Sequence, residues 1–254
     1  MSGLLLPLRV GTSGSDFAVT GAQQETCMPR RSRISTGQFV FHVLNRAVQG
    51  VTLFERPADY DLFCRIFARA IRRFRVRAFA FAVMPNHWHL VLSPLDDISL
   101  SPFMKWLTAT HALQWRAMRG SQGRGAVYQG RFKAIAVQHD AHFLRLCRYA
   151  ERNPARARLV ARAEDWPWSS AAPTASLPGR PALSPWPVRK PEDWSELINV
   201  PEPTRSLQTV RAAIRAGRHF GSASWRLRTA ETLRWRSGLT QRGKPVLLDP
   251  NPES

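Results

Sequence analysis

The chain has 254 residues, of which 44% are hydrophobic, so it is long enough to bury a core and too apolar to be intrinsically disordered. No stretch approaches the roughly 18 apolar residues that a membrane span requires, and the start has no charged head and too short an apolar run for a signal peptide. Thirty-seven Lys and Arg residues against 18 Asp and Glu give a net charge of +19, which predicts a polyanionic partner and favours nucleic acid. The alternative is a surface that is merely basic.

The three cysteines are odd in number and far apart, and none belongs to a Cys-x-x-Cys pair. We therefore expect a reducing compartment, the cytoplasm, with neither a disulfide framework nor a zinc knuckle.

Seven segments with strand or helix periodicity follow Met28, in the order β-α-β-β-α-β-α. The segments are strands at 39–47, 76–84, 87–93 and 126–137, and helices at 57–74, from Ser101-Pro102 onward, and from Asp140 to near Pro154. The first six have the order of a ferredoxin-like split βαβ unit. The sequence therefore predicts an α+β fold, with one antiparallel sheet and helices packed on a face of it.

Composition divides the chain into four predicted regions. Residues 1–27 carry little pattern, and we expect either a flexible arm or an over-extended gene start, with Met28 as the true beginning. Residues 28–172 form the main domain, and the Pro-rich residues 173–203 are predicted to be a linker. Residues 204–254 form a basic C-terminal tail, with short helices at 204–216 and 222–235.

Two histidines stand two residues apart in "MPNHWHLVL", residues 84–92, directly after a turn at Pro85-Asn86. Alternate residues of a strand share a face, so His87 and His89 project together while Trp88 points into the helix layer on the other side. Two adjacent imidazoles can form two corners of a metal site. The alternative is a pair of histidines that only hydrogen-bond within the sheet.

The predicted helix from Asp140 to near Pro154, with the residues that follow it up to 160, supplies the other candidate groups. His142, Arg145, Tyr149 and Asn153 follow one another at helical spacing, on a polar stripe beside the buried one. Tyr149 and Asn153 are one turn apart. Taken singly, Asn153 also fits a residue that ends a helix before Pro154, and Tyr149 also fits a half-buried aromatic residue with its hydroxyl outward.

Together these groups predict a reaction. A divalent cation, Mg²⁺ or Mn²⁺, held by His87, His89 and Asn153 would act as a Lewis acid on a DNA phosphodiester. The phenolate of Tyr149 would attack phosphorus and form a covalent phosphotyrosine. Because this bond keeps the phosphoester energy, a second 3′-hydroxyl can later displace the tyrosine, which is strand transfer.

Three motifs in order, "MPNHWHLVL", "YQGRFKA" and "RYAERNPARARLV", resemble the single-tyrosine transposases of the His-hydrophobe-His (HUH) superfamily, and within it the REP-associated tyrosine transposases. The resemblance runs from about Met28 to Pro245. It implies the ferredoxin-like HUH fold, a catalytic domain at 28–172, metal binding by His87 and His89, a nucleophile at Tyr149 and the third ligand at Asn153.

The resemblance also implies a substrate and a product. The substrate would be single-stranded hairpin DNA of palindromic REP-like repeats, in a bacterial nucleoid, and cleavage would leave a 5′-phosphotyrosine. We expect no membrane partner, and a monomer or a homodimer. The tail would either grip the hairpin stem or fold back over the active site. The predicted DNA-binding residues are Gln129, Arg131, Lys133, Arg145, Arg152, Arg156 and Arg158.

Two other functions compete with a nicking and joining enzyme. One is a domesticated protein that binds DNA hairpins without cutting them. The other is an RNA-binding ferredoxin-like domain, which would expose aromatic residues on the sheet for base stacking. The sheet here carries histidines instead, so this function is disfavoured.

Overall fold

A four-stranded antiparallel sheet forms the centre of the protein. The structure is a computed structural model, and it describes residues 39–49, 51–95, 100–120, 125–173 and 179–233. The strands lie in the order β2-β3-β1-β4, with every pair antiparallel. This is the strand order of the ferredoxin-like fold, so the predicted fold class is confirmed. The strands are β1 (Val40–Arg46), β2 (Val76–Met84), β3 (His87–Pro94) and β4 (Lys133–Val137).

The helices of the described ranges match the predicted periodicity closely. They are α1 (Pro57–Phe74), α2 (Leu100–Met118), α3 (Ala141–Glu151), α4 (Asn153–Arg156), α5 (Trp194–Leu197), α6 (Thr204–Ala216) and α7 (Ala223–Leu233). Asp140 caps α3 as expected, since its side chain accepts a hydrogen bond from the backbone of His142 at 2.7 Å. None of these helices is both long and apolar enough to cross a membrane.

Helices cover both faces of the sheet, whereas the sequence predicted helices on a face. Helices α1 and α2 pack on one side, where Trp88, Leu90 and Leu92 are fully buried. Helices α3 and α6 pack on the other side, over Val91 and Ile135. Strand β2 is almost entirely buried because it lies between these layers.

Trp88 fills the helix layer as predicted from its position between the two histidines. Its ring lies 5.5 Å from the ring of Phe63, and its indole N–H donates to the hydroxyl of Tyr128 at 3.3 Å. That hydroxyl also pairs with Nδ1 of His111 at 2.7 Å. The bulky residue therefore packs β3 against the layer of α1 and α2.

Two predicted segments differ from the structure. The strand predicted at 126–137 begins only at Lys133, because Gly130 adopts a positive φ of 74° in a preceding loop. The Pro-rich segment expected to be a linker packs on the domain instead, at least over residues 179–203. Its Trp186 indole donates to the carbonyl of Phe79 at 3.0 Å, and the indole of Trp194 donates to Glu151 at 2.7 Å.

Residues 1–38 and 234–254 lie outside the described residues, and with them the N-terminal extension, the basic "MPRRSR" segment and the end of the tail. The division into four regions stays a prediction.

Asp59 secures the start of α1 and offers a test of the fold. Its carboxylate accepts hydrogen bonds from the backbone N–H groups of Glu55 (3.0 Å) and Arg56 (2.9 Å) and from Arg119 (2.8 Å). Burial alone would raise the pKa of Asp59, but these partners lower it below its usual value. We expect Asp59→Asn to reduce the free energy of unfolding at pH 7 by about 2–3 kcal/mol, measured by urea denaturation.

The difference between wild type and Asp59→Asn should shrink as the pH falls. A lowered folded-state pKa adds stability above the unfolded-state pKa of about 4, and that stability is lost as Asp59 becomes protonated. The exposed Asp193→Asn serves as control and should change little at any pH. A difference that stays constant from pH 7 down to pH 3.5 would contradict this account.

Candidate active site

The sheet register places the two histidines of β3 on the face that α3 covers. His87 lies opposite Arg46 and His89 opposite Leu44, both on the neighbouring strand β1. The ring centres of His87 and His89 are 5.0 Å apart, and the rings are nearly perpendicular. The two imidazoles therefore share a face, as their spacing predicts, and they lie beside each other.

Tyr149 reaches these histidines from α3. Its ring centre lies 5.6 Å from that of His89, with the two planes at 85°. Tyr149 is only 8% exposed, so its ring is fixed by packing rather than held loosely at the surface. The structure thus brings together a phenol and an imidazole pair that are about 60 residues apart in the sequence.

Both imidazoles of the pair have a hydrogen-bond partner at Nδ1. The Nδ1 of His87 lies 2.7 Å from Oδ1 of Asn86, and the Nδ1 of His89 lies 2.9 Å from Nε2 of His42. The Nε2 of His89 is buried and has no hydrogen-bond partner among the described residues. A histidine that binds a metal through one ring nitrogen commonly has its other ring nitrogen in a hydrogen bond of this kind.

A divalent cation fits this donor set. Among the described residues, no group of three or more His, Cys, Asp or Glu side chains is arranged to hold a metal ion. A third protein ligand would therefore be of another type, and the predicted one is the amide of Asn153. This residue is buried at the start of α4, 8% exposed, directly before Pro154.

The helix that carries Tyr149 ends near Pro154, as predicted. Helix α3 stops at Glu151, and Asn153 belongs to the separate short helix α4. Pro154 has no N–H to donate to the carbonyl of Ala150, which accounts for the break. The one-turn spacing between Tyr149 and Asn153 is thus set by a helix junction, and the ligand role of Asn153 stays a prediction.

The histidines of the site remain uncharged at neutral pH. Burial, with a smaller contribution from Arg46 and Arg156, lowers the pKa of His87 to about 4. Burial lowers the pKa of His42 to about 3 and holds that of His89 well below its usual range. Neutral imidazole is the form that binds a metal, so the site needs no deprotonation before a cation enters.

Arg156 holds Tyr149 from two directions. Its guanidinium carbon lies 4.4 Å from the centre of the phenol ring, and one of its N–H groups donates to the carbonyl oxygen of Tyr149 at 2.9 Å. A second N–H donates to Glu202 at 2.9 Å, in an ion pair that is mostly buried. A cation over the ring restricts the orientation of the phenol.

The predicted DNA-binding residues fall into an exposed group and a partly buried group, the latter made up of Arg152 and Arg156. Lys133 is exposed on the histidine face, because it pairs with Leu44, the residue that also pairs with His89. Arg152 is partly buried and donates to the carbonyl of Asn199 at 3.4 Å. The other exposed members are Gln129 and Arg131 in the loop before β4, Arg145 on α3, and Arg158 after α4.

Sequence reasoning missed two residues of this site, His42 and Arg46. Both lie on β1 and face the same side as His89, since alternate residues of a strand share a face and β1 pairs directly with β3. The signal was present, because the predicted split βαβ order places the first strand beside the third. The same order that predicts the fold therefore also points to β1 as the source of partners for the histidines.

Three comparisons with known proteins bear on the site. Residues 36–153 match the family described as "Transposase IS200 like", a span that contains β1 to β4, both histidines and Tyr149. Comparison with curated proteins gives no match. Among solved structures, a REP-associated tyrosine transposase bound to a REP hairpin is similar at 19% identity over 61% of this chain and 92% of that one, with a TM-score of 0.46.

The family match covers the whole region in which the site is built. The motifs "MPNHWHLVL" and "YQGRFKA" lie inside it, and the matched span ends at Asn153, within the third motif. Residues 36–153 of this chain are therefore similar to the IS200-like transposases.

Proposed function

We propose that this protein is a metal-dependent enzyme that nicks and rejoins single-stranded DNA at palindromic hairpins. The observation that carries the proposal is the placement of the Tyr149 ring 5.6 Å from that of His89, whose Nε2 has no protein partner in the described chain. A nucleophile and a cation site that face each other are what phosphodiester transfer requires. The hairpin substrate rests on the motif resemblance to the REP-associated branch of the family.

The chemistry follows from the residues in place. His87, His89 and Asn153 would hold Mg²⁺ or Mn²⁺, which when bound polarises a non-bridging phosphate oxygen. The hydroxyl oxygen of Tyr149 forms a bond to phosphorus and loses its proton to water, while the bond from phosphorus to the 3′-oxygen breaks and that oxygen takes up a proton from water. The products are a 5′-phosphotyrosine and a free 3′-hydroxyl. A second 3′-hydroxyl reverses these steps and releases the tyrosine.

Arg156 would assist this step without touching the DNA. Its guanidinium lies against the phenol ring and its N–H bond to the Tyr149 carbonyl holds the end of α3. The ion pair with Glu202 holds the guanidinium in place against the ring.

The DNA would cross the histidine face of the sheet. Arg46 stands opposite His87, and Lys133 lies in the same cross-strand row as His89. The exposed residues Gln129, Arg131, Arg145 and Arg158 would extend this basic surface. Arginine and lysine contacts to phosphate give binding that weakens strongly with salt. The protein would work on the bacterial nucleoid, as a monomer or a homodimer.

A labelled hairpin distinguishes nicking from binding alone. Full-length protein is incubated with single-stranded hairpin DNA and Mn²⁺, then run on a denaturing gel. We expect 3′-labelled DNA to shift into a protease-sensitive protein adduct and 5′-labelled DNA to appear as a shorter free strand, because the tyrosine retains the 5′-phosphate. EDTA should suppress both products.

One result would overturn the enzyme proposal. If several hairpins bind tightly in a native gel but none forms an adduct with Mn²⁺ or Mg²⁺, the protein is a hairpin-binding protein that does not cut.

A further inference from the structure

We propose that His42 is a positioning residue for the cation site, which holds His89 with its proton on Nδ1 so that Nε2 presents a lone pair to the metal. This inference rests on the proposed function. His42 does not touch DNA or the cation in this arrangement, and it acts through His89.

The contact between the two imidazoles has the geometry of a hydrogen bond in the ring plane. The Nε2 of His42 lies 2.9 Å from Nδ1 of His89, the ring planes are within 12° of parallel, and the ring centres are 5.1 Å apart. With the nitrogens this close and the centres this far apart, the rings meet edge to edge rather than face to face. One proton lies between the two nitrogens. The nitrogen that carries this proton determines which ring nitrogen of His89 has a lone pair for a metal.

The neighbouring histidine shows which arrangement the site requires. The Nδ1 of His87 lies 2.7 Å from Oδ1 of Asn86, and an amide oxygen only accepts hydrogen bonds. His87 therefore donates through Nδ1–H and keeps a lone pair on Nε2. If His89 donates through Nδ1–H to His42 in the same way, both imidazoles offer Nε2 to one cation. His42 then does for His89 what Asn86 does for His87.

A purely structural role does not explain an imidazole at position 42. His42 is fully buried on the α3 face of β1, beside the apolar Val40 and Leu44 of the same face. A buried imidazole is costly unless its polar atoms are satisfied. The Nδ1 of His42 has no hydrogen-bond partner among the described residues, and the bond that the structure shows for its Nε2 goes to the candidate metal ligand. Its ring also meets Tyr149 edge-on, with centres 6.3 Å apart. It therefore touches both partners of the reaction.

Two substitutions separate positioning from packing. His42→Leu keeps most of the volume and removes the acceptor, while His42→Gln returns an acceptor oxygen at similar reach. We expect His42→Leu to weaken Mn²⁺ binding by about 10–100-fold, the usual effect of losing a partner behind a metal ligand, and His42→Gln to recover most of it. Calorimetric titration of the full chain with Mn²⁺ alone measures this without DNA.

A second readout needs no metal. Long-range proton–nitrogen spectra of the metal-free protein report which ring nitrogen of His89 carries the proton. We expect Nδ1–H in the wild type and a mixture of tautomers in His42→Leu. The matched control is His111→Leu, which removes another fully buried histidine from the opposite face of the sheet. It should lower stability and leave both Mn²⁺ affinity and the His89 tautomer unchanged.

The outcomes separate this inference from the proposed function. A wild type that binds no Mn²⁺ overturns both. If the wild type binds Mn²⁺ and His42→Leu binds it equally well, or His89 keeps the same tautomer without His42, only the positioning role is wrong. Should His111→Leu weaken Mn²⁺ as much as His42→Leu does, the effect comes from packing and the inference also fails.

Discussion

Tyr149→Phe is expected to abolish the covalent protein–DNA adduct and to lower strand cleavage by about 10³-fold or more, because it removes the attacking oxygen and leaves the ring in place. The ring makes the packing contacts with His42, His89 and Arg156, and phenylalanine retains all three. The fold and the basic face therefore stay intact. Affinity for hairpin DNA should change by no more than about twofold, since phosphate contacts dominate binding.

The measurement is the yield of adduct on a denaturing gel, together with binding in a native gel at the same salt concentration. Tyr128→Phe is the matched control. Its hydroxyl is also buried and hydrogen-bonded, but it meets Trp88 and His111 on the opposite face of the sheet. This variant should lose stability and still form the adduct. An adduct that persists in Tyr149→Phe would assign the nucleophile to another residue.

The fold was predictable because its signals are local and agree with one another. Alternation in 76–84, a turn at Pro85-Asn86 and helical spacing in 57–74 each define one element, and the boundaries of α1 and β2 coincide with the predicted ones. Strand order then follows, since a split βαβ unit has few alternatives. The strand at 126–137 was over-extended because alternation continues through Gly130, whose positive φ is a property of the folded backbone.

The packing of residues 179–203 on the domain could not be read from composition. Proline content favours an extended segment, and that much holds, because little of this segment is helical. What fixes it in place are two tryptophans whose indole N–H groups find the Phe79 carbonyl and the Glu151 carboxylate. Those acceptors become available only when β2 and α3 have formed, so the contact is a tertiary one without a sequence pattern of its own.

The candidate site also contains residues with a local sequence signal and residues whose contacts are only tertiary. His87, His89 and Tyr149 were predictable because their spacing in a strand and a helix carries the signal. The position of His42 beside His89 depends on which strands pair in the sheet. The stacking of Arg156 on Tyr149 depends on the direction that the Arg156 side chain takes after the helix break. Arg156 was predicted to bind DNA, and the structure shows that its guanidinium contacts Tyr149 and Glu202.

His87→Ala is expected to lower cleavage far more than it lowers DNA binding. The variant removes one of two imidazoles that would hold the cation, so Mn²⁺ affinity should fall by at least about 10²-fold and cleavage at a fixed Mn²⁺ concentration should fall at least in proportion. Hairpin binding without metal should change by less than about threefold, because a neutral side chain contributes no charge to phosphate contacts. Raising Mn²⁺ should restore part of the activity, since His89 remains.

The matched control is His139→Ala, which removes an exposed histidine from the turn between β4 and α3. It should bind Mn²⁺ and cleave as the wild type does. Titrating Mn²⁺ against the cleavage rate of each variant separates weaker metal binding, which shifts the midpoint, from damage to the nucleophile, which lowers the plateau. A His87→Ala variant with an unchanged midpoint and an unchanged plateau would show that the cation does not bind at this pair. The two imidazoles would then be hydrogen-bonded residues of the sheet, and the charge that activates Tyr149 would have to come from Arg156 and Arg46.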